Sequence, residues 1–285
     1  MRATIPASRD SLPDVKKRFT ATLATTSFAL AVLAGSAGGA PGGAGPGAPE
    51  SRNPCAGPGA GELLCPDLKV GPAANLYVER GPGRYGYGGG ALLHAGNDIR
   101  SRGRGPMELR GRRYKRNWMR ANQAIYRVGG GVRVFRTDAR LHFYSVGYTW
   151  GGSYWKVENP LSMEIWSLDQ SRQPLERVRK GPKVFYCFRD LERTKTMRRS
   201  PGHRVYPACS QDPSRERVRL GTSVGWSDIY PSTYDRQWIN VSGLRGCFAF
   251  VMQVDPQNLL YEENERNNRS TRIVRLPYRD GPQNC

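Results

Sequence analysis

The feature that most constrains this chain is the shortness of its apolar runs. Beyond residue 64, stretches rich in Val, Ile, Phe, Tyr and Trp last only a few residues before Gly, Pro, Asn or Asp cuts them. No window sustains the i, i+3, i+4 spacing of an amphipathic helix, and such punctuated runs are the signature of strands joined by turns. Candidate strands are 91–94, 107–111, 122–128, 132–136, 140–146, 162–168, 183–188, 236–241, 247–254 and 271–276. Many short strands with frequent turns imply an all-β, sandwich-like domain, with long irregular loops such as 189–218 laid over it.

The N-terminal part is different in kind. Lys16, Lys17 and Arg18 precede an apolar run, Phe19 to Leu33, and small residues (AGSAGGA, 34–40) follow. That order reads as a secretory signal peptide over 1–36. At about 15 residues the apolar run is short for a bilayer, so no membrane span is expected after cleavage. Residues 37–64 are dominated by Gly, Ala and Pro and read as a flexible linker, leaving 65–285 as the folded domain. Export fits the six cysteines, all beyond the signal, as a disulfide set, and no CxxC pair suggests zinc. The expected location is extracellular or at the cell envelope.

The chain carries 44 Lys and Arg against 24 Asp and Glu, a formal charge of +20. Such a balance attracts acidic cell-envelope polymers or acidic proteins, and export argues against nucleic acid as the physiological partner. Arg far outnumbers Lys, and Ala, Gly and Pro are also abundant. A compositional bias towards Arg therefore explains the charge, with envelope attraction as a by-product.

Specific landmarks lie in the second half. Residues 221–268 contain GW-x-D-x-Y, then QWI, then a strand pattern with V-x-P that leads into E…NN. Upstream stand KVFYC (183–187), GRGPMELRG (103–111) and PDL (66–68). In this order the landmarks resemble the catalytic domain of lysyl oxidases, especially exported bacterial ones, and they span Pro66 to Leu276. The resemblance implies a sandwich-like lysyl oxidase-type domain. It also implies oxidative deamination of primary amines with copper and a lysine–tyrosine quinone made from the protein's own side chains. The quinone residues would be Lys183 and Tyr230, and the carboxylate that removes the substrate proton would be Asp228. Taken singly, each has an ordinary structural reading: a solvated strand start, a turn aromatic and a loop cap.

The same resemblance places the family's copper ligands in a row, His-x-His-aromatic-His. Here that row falls on Gly152, Tyr154 and Lys156, with Trp155 as the aromatic spacer. The chain has three histidines, 94, 142 and 203, scattered in sequence. Copper(II) favours imidazole, and a lysine ammonium repels it. Copper and the quinone are therefore expected to be absent, and the chain is expected to be a pseudoenzyme that keeps the fold and acts as a binding or envelope-associated module. The alternative is an active copper- and quinone-dependent oxidase of protein lysine or other primary amines, using a metal site of another composition.

A second family site, for calcium, would clip the two ends of the domain together. It maps onto Asp67, the Leu68 carbonyl, Glu262, Asn264, Asn267 and Asn268, an oxygen-rich set that suits a hard cation. Asn264 departs from the Asp that the pattern prefers. The resemblance also suggests a Cys187–Cys209 bridge. The remaining pairs stay open, one assignment being Cys247–Cys285 with Cys55–Cys65.

Overall fold

The structure, a computed structural model, describes residues 53–81, 89–146 and 152–285. Residues 1–36, expected to be a signal peptide, and residues 37–52 of the expected linker lie outside the described residues. Those described form seventeen strands and no α-helix. In chain order the first seven are β1 (Leu63–Leu64), β2 (Leu68–Val70), β3 (Ala74–Gly81), β4 (Gly90–Ser101), β5 (Met107–Lys115), β6 (Trp118–Arg127) and β7 (Val132–Val146). There follow β8 (Gly152–Glu158), β9 (Leu161–Leu168), β10 (Pro174–Lys180), β11 (Phe185–Tyr186), β12 (Glu192–Arg193) and β13 (Arg217–Thr222). The last four are β14 (Trp226–Tyr230), β15 (Trp238–Asn240), β16 (Gly246–Val254) and β17 (Arg269–Leu276).

They assemble into antiparallel sheets ordered β11-β8-β7-β6-β5-β13, β10-β9-β16-β17 and β12-β14-β4-β15, with β1 on β6 and β2 and β3 on β4. The fold is all-β and sandwich-like, as the punctuated runs require. Strand β16 sits between β9 and β17 and carries an unbroken buried run, Ala249 to Met252, as expected of a strand covered on both faces. The outer strand β10 is the opposite case: it opens on Pro174, is largely exposed and is charged, which blunts a sheet edge.

Three differences from the sequence reading have physical causes. The runs 132–136 and 140–146 form one strand, β7, whose register against β6 shifts between Arg120 and Asn122. The segment 183–188 is extended only at Phe185–Tyr186, because the Tyr230 hydroxyl takes both backbone groups of Cys187. Cys55 to Leu64, within the Gly/Pro/Ala-rich stretch, packs onto the domain: Cys55 and Leu63 are buried and β1 pairs with β6. Close approach explains one family landmark. A Cβ on Gly103 would lie 2.4 Å from the Asp67 nitrogen and the Cys65 carbonyl oxygen, so only glycine lets the 103–111 segment seat PDL.

Three disulfides close the fold: Cys55–Cys65, Cys187–Cys209 and Cys247–Cys285. The second spans 22 residues and holds Cys187 against Tyr230. Replacing it with a Cys187→Ala/Cys209→Ala pair is expected to cost about 3 kcal/mol in urea unfolding. A loss below about 1 kcal/mol would show that the loop is held by its other contacts instead.

Candidate active site and cation site

Strand β14 pairs with β4 so that Asp228 stands opposite Ile99 and Tyr230 opposite Asn97. Lys183 reaches the same place from the turn between β10 and β11. Its amino group donates to the Asp235 carbonyl at 2.8 Å. It also lies 5.1 Å from the ring centroids of Tyr186 and Tyr230 and 5.7 Å from that of Tyr234. A cation over aromatic faces is attracted by their quadrupoles, and burial strengthens the effect. The Tyr230 hydroxyl accepts from the Cys187 N–H at 2.6 Å and donates to the Cys187 carbonyl at 3.0 Å. The Asp228 carboxylate is fully buried beside that hydroxyl, and Arg189 and the Tyr230 hydroxyl oppose the effect of its burial. The structure thus brings Lys183, Tyr230 and Asp228 into one buried centre.

Burial dominates the electrostatics. It lowers Lys183 to about 7, helped by the neighbouring charge of Lys156 and opposed by Asp235 and Asp228. Burial raises Asp228 well above the carboxylate range, opposed first by Arg189. Tyr230 is raised by burial and then by Asp228. Tyr186, Tyr234, Asp235 and Arg189 were not singled out from sequence. Only Tyr186, three residues after Lys183 in KVFYC, had a local signal. Tyr234 and Asp235 lie in the loop between β14 and β15, and Arg189 in the loop between β11 and β12, where the pattern of apolar residues gives no cue.

The copper row of the resemblance lies on β8. Pairing with β7 sets His142 opposite Lys156, Tyr144 opposite Tyr154 and Val146 opposite Gly152. Because side chains alternate along a strand, positions 152, 154 and 156 share one face. Trp155 and Val157 fill the core on the other face, and the Trp155 indole N–H donates to the Asp212 carbonyl at 2.9 Å. Lys156 is buried, with its amino group 5.1 Å from the Tyr144 ring centroid and 5.7 Å from that of Tyr154. Burial lowers it to about 8, opposed by Asp235 and Asp228, so it is mainly a cation at neutral pH.

These residues do not fit copper. One position has no side chain, one has a phenol and one an ammonium. Gly152 also adopts φ +103°, a backbone state that strains any residue with a Cβ. The histidines are engaged separately. His94 stacks on Tyr77 at 4.5 Å and pairs with Glu79 at 3.1 Å. His142 lies against Trp118 at 4.2 Å and Phe185 at 5.0 Å, and His203 is exposed. Among the described residues no cluster of three metal-ligating side chains includes a histidine.

The second site gathers most of its expected residues. Glu262 accepts from the Leu68 N–H and, at 2.9 Å, from the Asn268 amide, while the Asn267 amide donates to Asp67 at 2.9 Å. Asn264 is exposed and its side-chain oxygen accepts from the Arg266 N–H at 3.0 Å, capping a 3-10 turn. Sequence reasoning missed Asp255, whose carboxylate lies with those of Glu262 and Glu265 within 4.8 Å. Burial, then Glu265 and Asp255, raise Glu262 well above the carboxylate range. The buried side-chain oxygens of Asn267 and Asn268 have no hydrogen-bond partner among the described residues. Crowded carboxylates beside unsatisfied amide oxygens are the donor set a hard cation requires.

A lysyl oxidase family model matches residues 152–281, from the first residue of β8 to beyond β17. The chain carries a lysyl oxidase domain. The matched segment holds Lys183, Asp228 and Tyr230 as well as β8. The search of curated proteins returned no match.

The buried Lys183 makes a pH prediction. Folded Lys183 loses its proton near 7, whereas the unfolded chain keeps it to about 10.4. The unfolded state binds more protons across that window, so this residue's contribution to stability improves as pH rises from about 7 to 10. Lys183→Met is expected to be more stable than wild type at pH 6, with the gap closing by up to about 1.4 kcal/mol per pH unit towards pH 10. A gap that stays constant over that range would contradict a depressed Lys183.

Proposed function

We propose that this is a secreted lysyl oxidase-like pseudoenzyme, a protein that keeps the centre built by Lys183, Tyr230 and Asp228 but has replaced its copper site, and that serves as a binding module at the cell envelope. The observation that carries this reading is Lys156, buried at a ligand position of the copper row and facing Tyr144 and Tyr154. Lys156 and Lys183 interact electrostatically, and a divalent metal beside them would add to their mutual repulsion. Secretion is supported by the disulfides, which persist in oxidising compartments. No helix among the described residues is long and apolar enough to cross a membrane.

The test is expression in copper-supplemented medium, followed by intact mass, metal content and quinone redox staining. The expected protein has the mass of the unmodified disulfide-bonded chain, far less than one copper per molecule and no staining. Bound copper with a Lys183–Tyr230 cross-linked peptide would establish the competing reading, an active copper- and quinone-dependent amine oxidase.

Calcium is the cation proposed for the cluster of Asp67, Glu262, Asn267 and Asn268, supported by Glu265 and Asp255 in place of the expected Asn264. It would join the segment before β2 to the turn before β17 and relieve the carboxylate repulsion there. At a calcium concentration 100-fold above its dissociation constant, stability should rise by about 2.7 kcal/mol. Glu262→Gln should remove the difference between melts in calcium and in chelator. Identical melting of wild type in both conditions would refute the site.

A further inference from the structure

The strongest feature outside the lysyl oxidase centre is on the solvent face of the sheet β13-β5-β6-β7. Strand register places Arg217 opposite Arg112, Arg112 opposite Arg120 and Arg120 opposite Arg140. One row further along, Arg219 is opposite Arg110, Arg110 opposite Asn122 and Asn122 opposite Arg136. Intervening residues such as Leu109, Met119, Leu141 and Val218 are buried, so the arginine rows share the outer face. With strands about 4.8 Å apart, the first row sets four guanidinium groups along roughly 14 Å.

Like charges directly opposite one another across strands destabilise a sheet. Acids offset part of this charge: Glu108 pairs with Arg110, Glu158 with Arg140 and Glu216 with Arg113. Arg112, Arg120, Arg136 and Arg217 have no ion-pair partner among the described residues. The face is also concave. Against Arg120 and Asn122 of β6, β7 runs from Arg136 to Arg140, a bulge pinned by the Thr137 hydroxyl donating to the Ala121 carbonyl at 2.7 Å. The result is a cavity of about 660 Å³, with Arg112, Arg113, Arg120, Arg136 and Arg140 on its walls and Asp138 as the one acid in the lining.

We propose that this face is a docking surface for a linear phosphodiester polymer without bases, of the polyol-phosphate kind. Guanidinium forks bind phosphate oxygens in pairs, and a row repeating at strand spacing suits a chain of such groups better than a single small anion. Eight of the ten lining residues are charged or carry amide or hydroxyl groups other than a phenol, which suits an anionic chain better than an apolar peptide side chain. Its one ring, Tyr114, lies under the Arg120 guanidinium at 5.3 Å, so there is no platform on which successive bases could stack. Arginine abundance by itself does not account for this placement, which concentrates the residues on one face at matching register. The inference names a partner for the proposed binding role and holds whether or not copper binds β8.

The test is titration of the full-length protein with poly(glycerol phosphate), followed by calorimetry at low salt. Binding is expected to weaken at least about ten-fold in R112E/R120E and by an intermediate factor in R112Q/R217Q, and to fall steeply with added salt. The control R179E/R193E removes the same charge from other sheets and should change affinity less than about two-fold. Far-ultraviolet circular dichroism of each variant confirms folding, and R112Q/R217Q carries the test should R112E/R120E misfold. Absence of binding, or equal loss in the control, would overturn the proposal. Displacement of the polymer by a lower concentration of a single-stranded oligonucleotide of equal charge would also overturn it and assign the face to nucleic acid.

Discussion

The two-residue repeat of an extended strand fixes what the centre of this molecule can hold. Trp155 and Val157 must face the core, and Trp155 is fully buried with its indole N–H bonded to the Asp212 carbonyl. Once they do, Gly152, Tyr154 and Lys156 are committed to the other face, next to His142 and Tyr144 of β7. A row of alternate imidazoles on such a strand would converge on one metal. With glycine, phenol and ammonium in those places, the same geometry delivers a buried cation instead.

The rest of the centre is consistent with that replacement. Burial lowers the proton affinity of both Lys156 and Lys183, the charge of Lys156 lowers that of Lys183 further, and Asp235 and Asp228 oppose both shifts. Aromatic faces of Tyr144, Tyr154, Tyr186, Tyr230 and Tyr234 take the place of hydrogen-bonding solvent around the two amines. Charge is balanced between side chains, and the chain holds Lys183 beside Tyr230 by packing and by the Cys187 backbone. The cluster at Glu262 is arranged in the contrary sense. There the carboxylates of Asp255, Glu262 and Glu265 lie within 4.8 Å of one another, and the nearby Lys69 ammonium pairs with Asp67.

How much of this was legible in the sequence depended on whether a signal was local. The β class followed from punctuated apolar runs, and GW-x-D-x-Y with KVFYC indicated Tyr230, Asp228 and Lys183. Strand β8 was not read as a strand, because a lysine at a buried position breaks the apolar alternation that would reveal it. Strand β13 carries a clear polar–apolar alternation, Arg217-Val218-Arg219-Leu220, but began inside a stretch read as loop. The join within β7 was hidden by Thr137-Asp138-Ala139, which looks like a turn and forms a bulge. The arginine rows could not be read at all without register, since their members come from four strands separated by as much as a hundred residues. Asp255 was missed for a different reason: the turn that follows β16 folds it back against Glu262.

The replacement of copper by Lys156 is the central claim, and anomalous diffraction tests it most directly. Crystals grown with copper(II) would be measured on either side of the copper absorption edge. The account predicts no anomalous peak within bonding distance of Tyr154, Lys156 or His142, and separate side-chain density for Lys183 and Tyr230. A copper peak on that face of β8, or continuous density joining Lys183 to Tyr230, would contradict it.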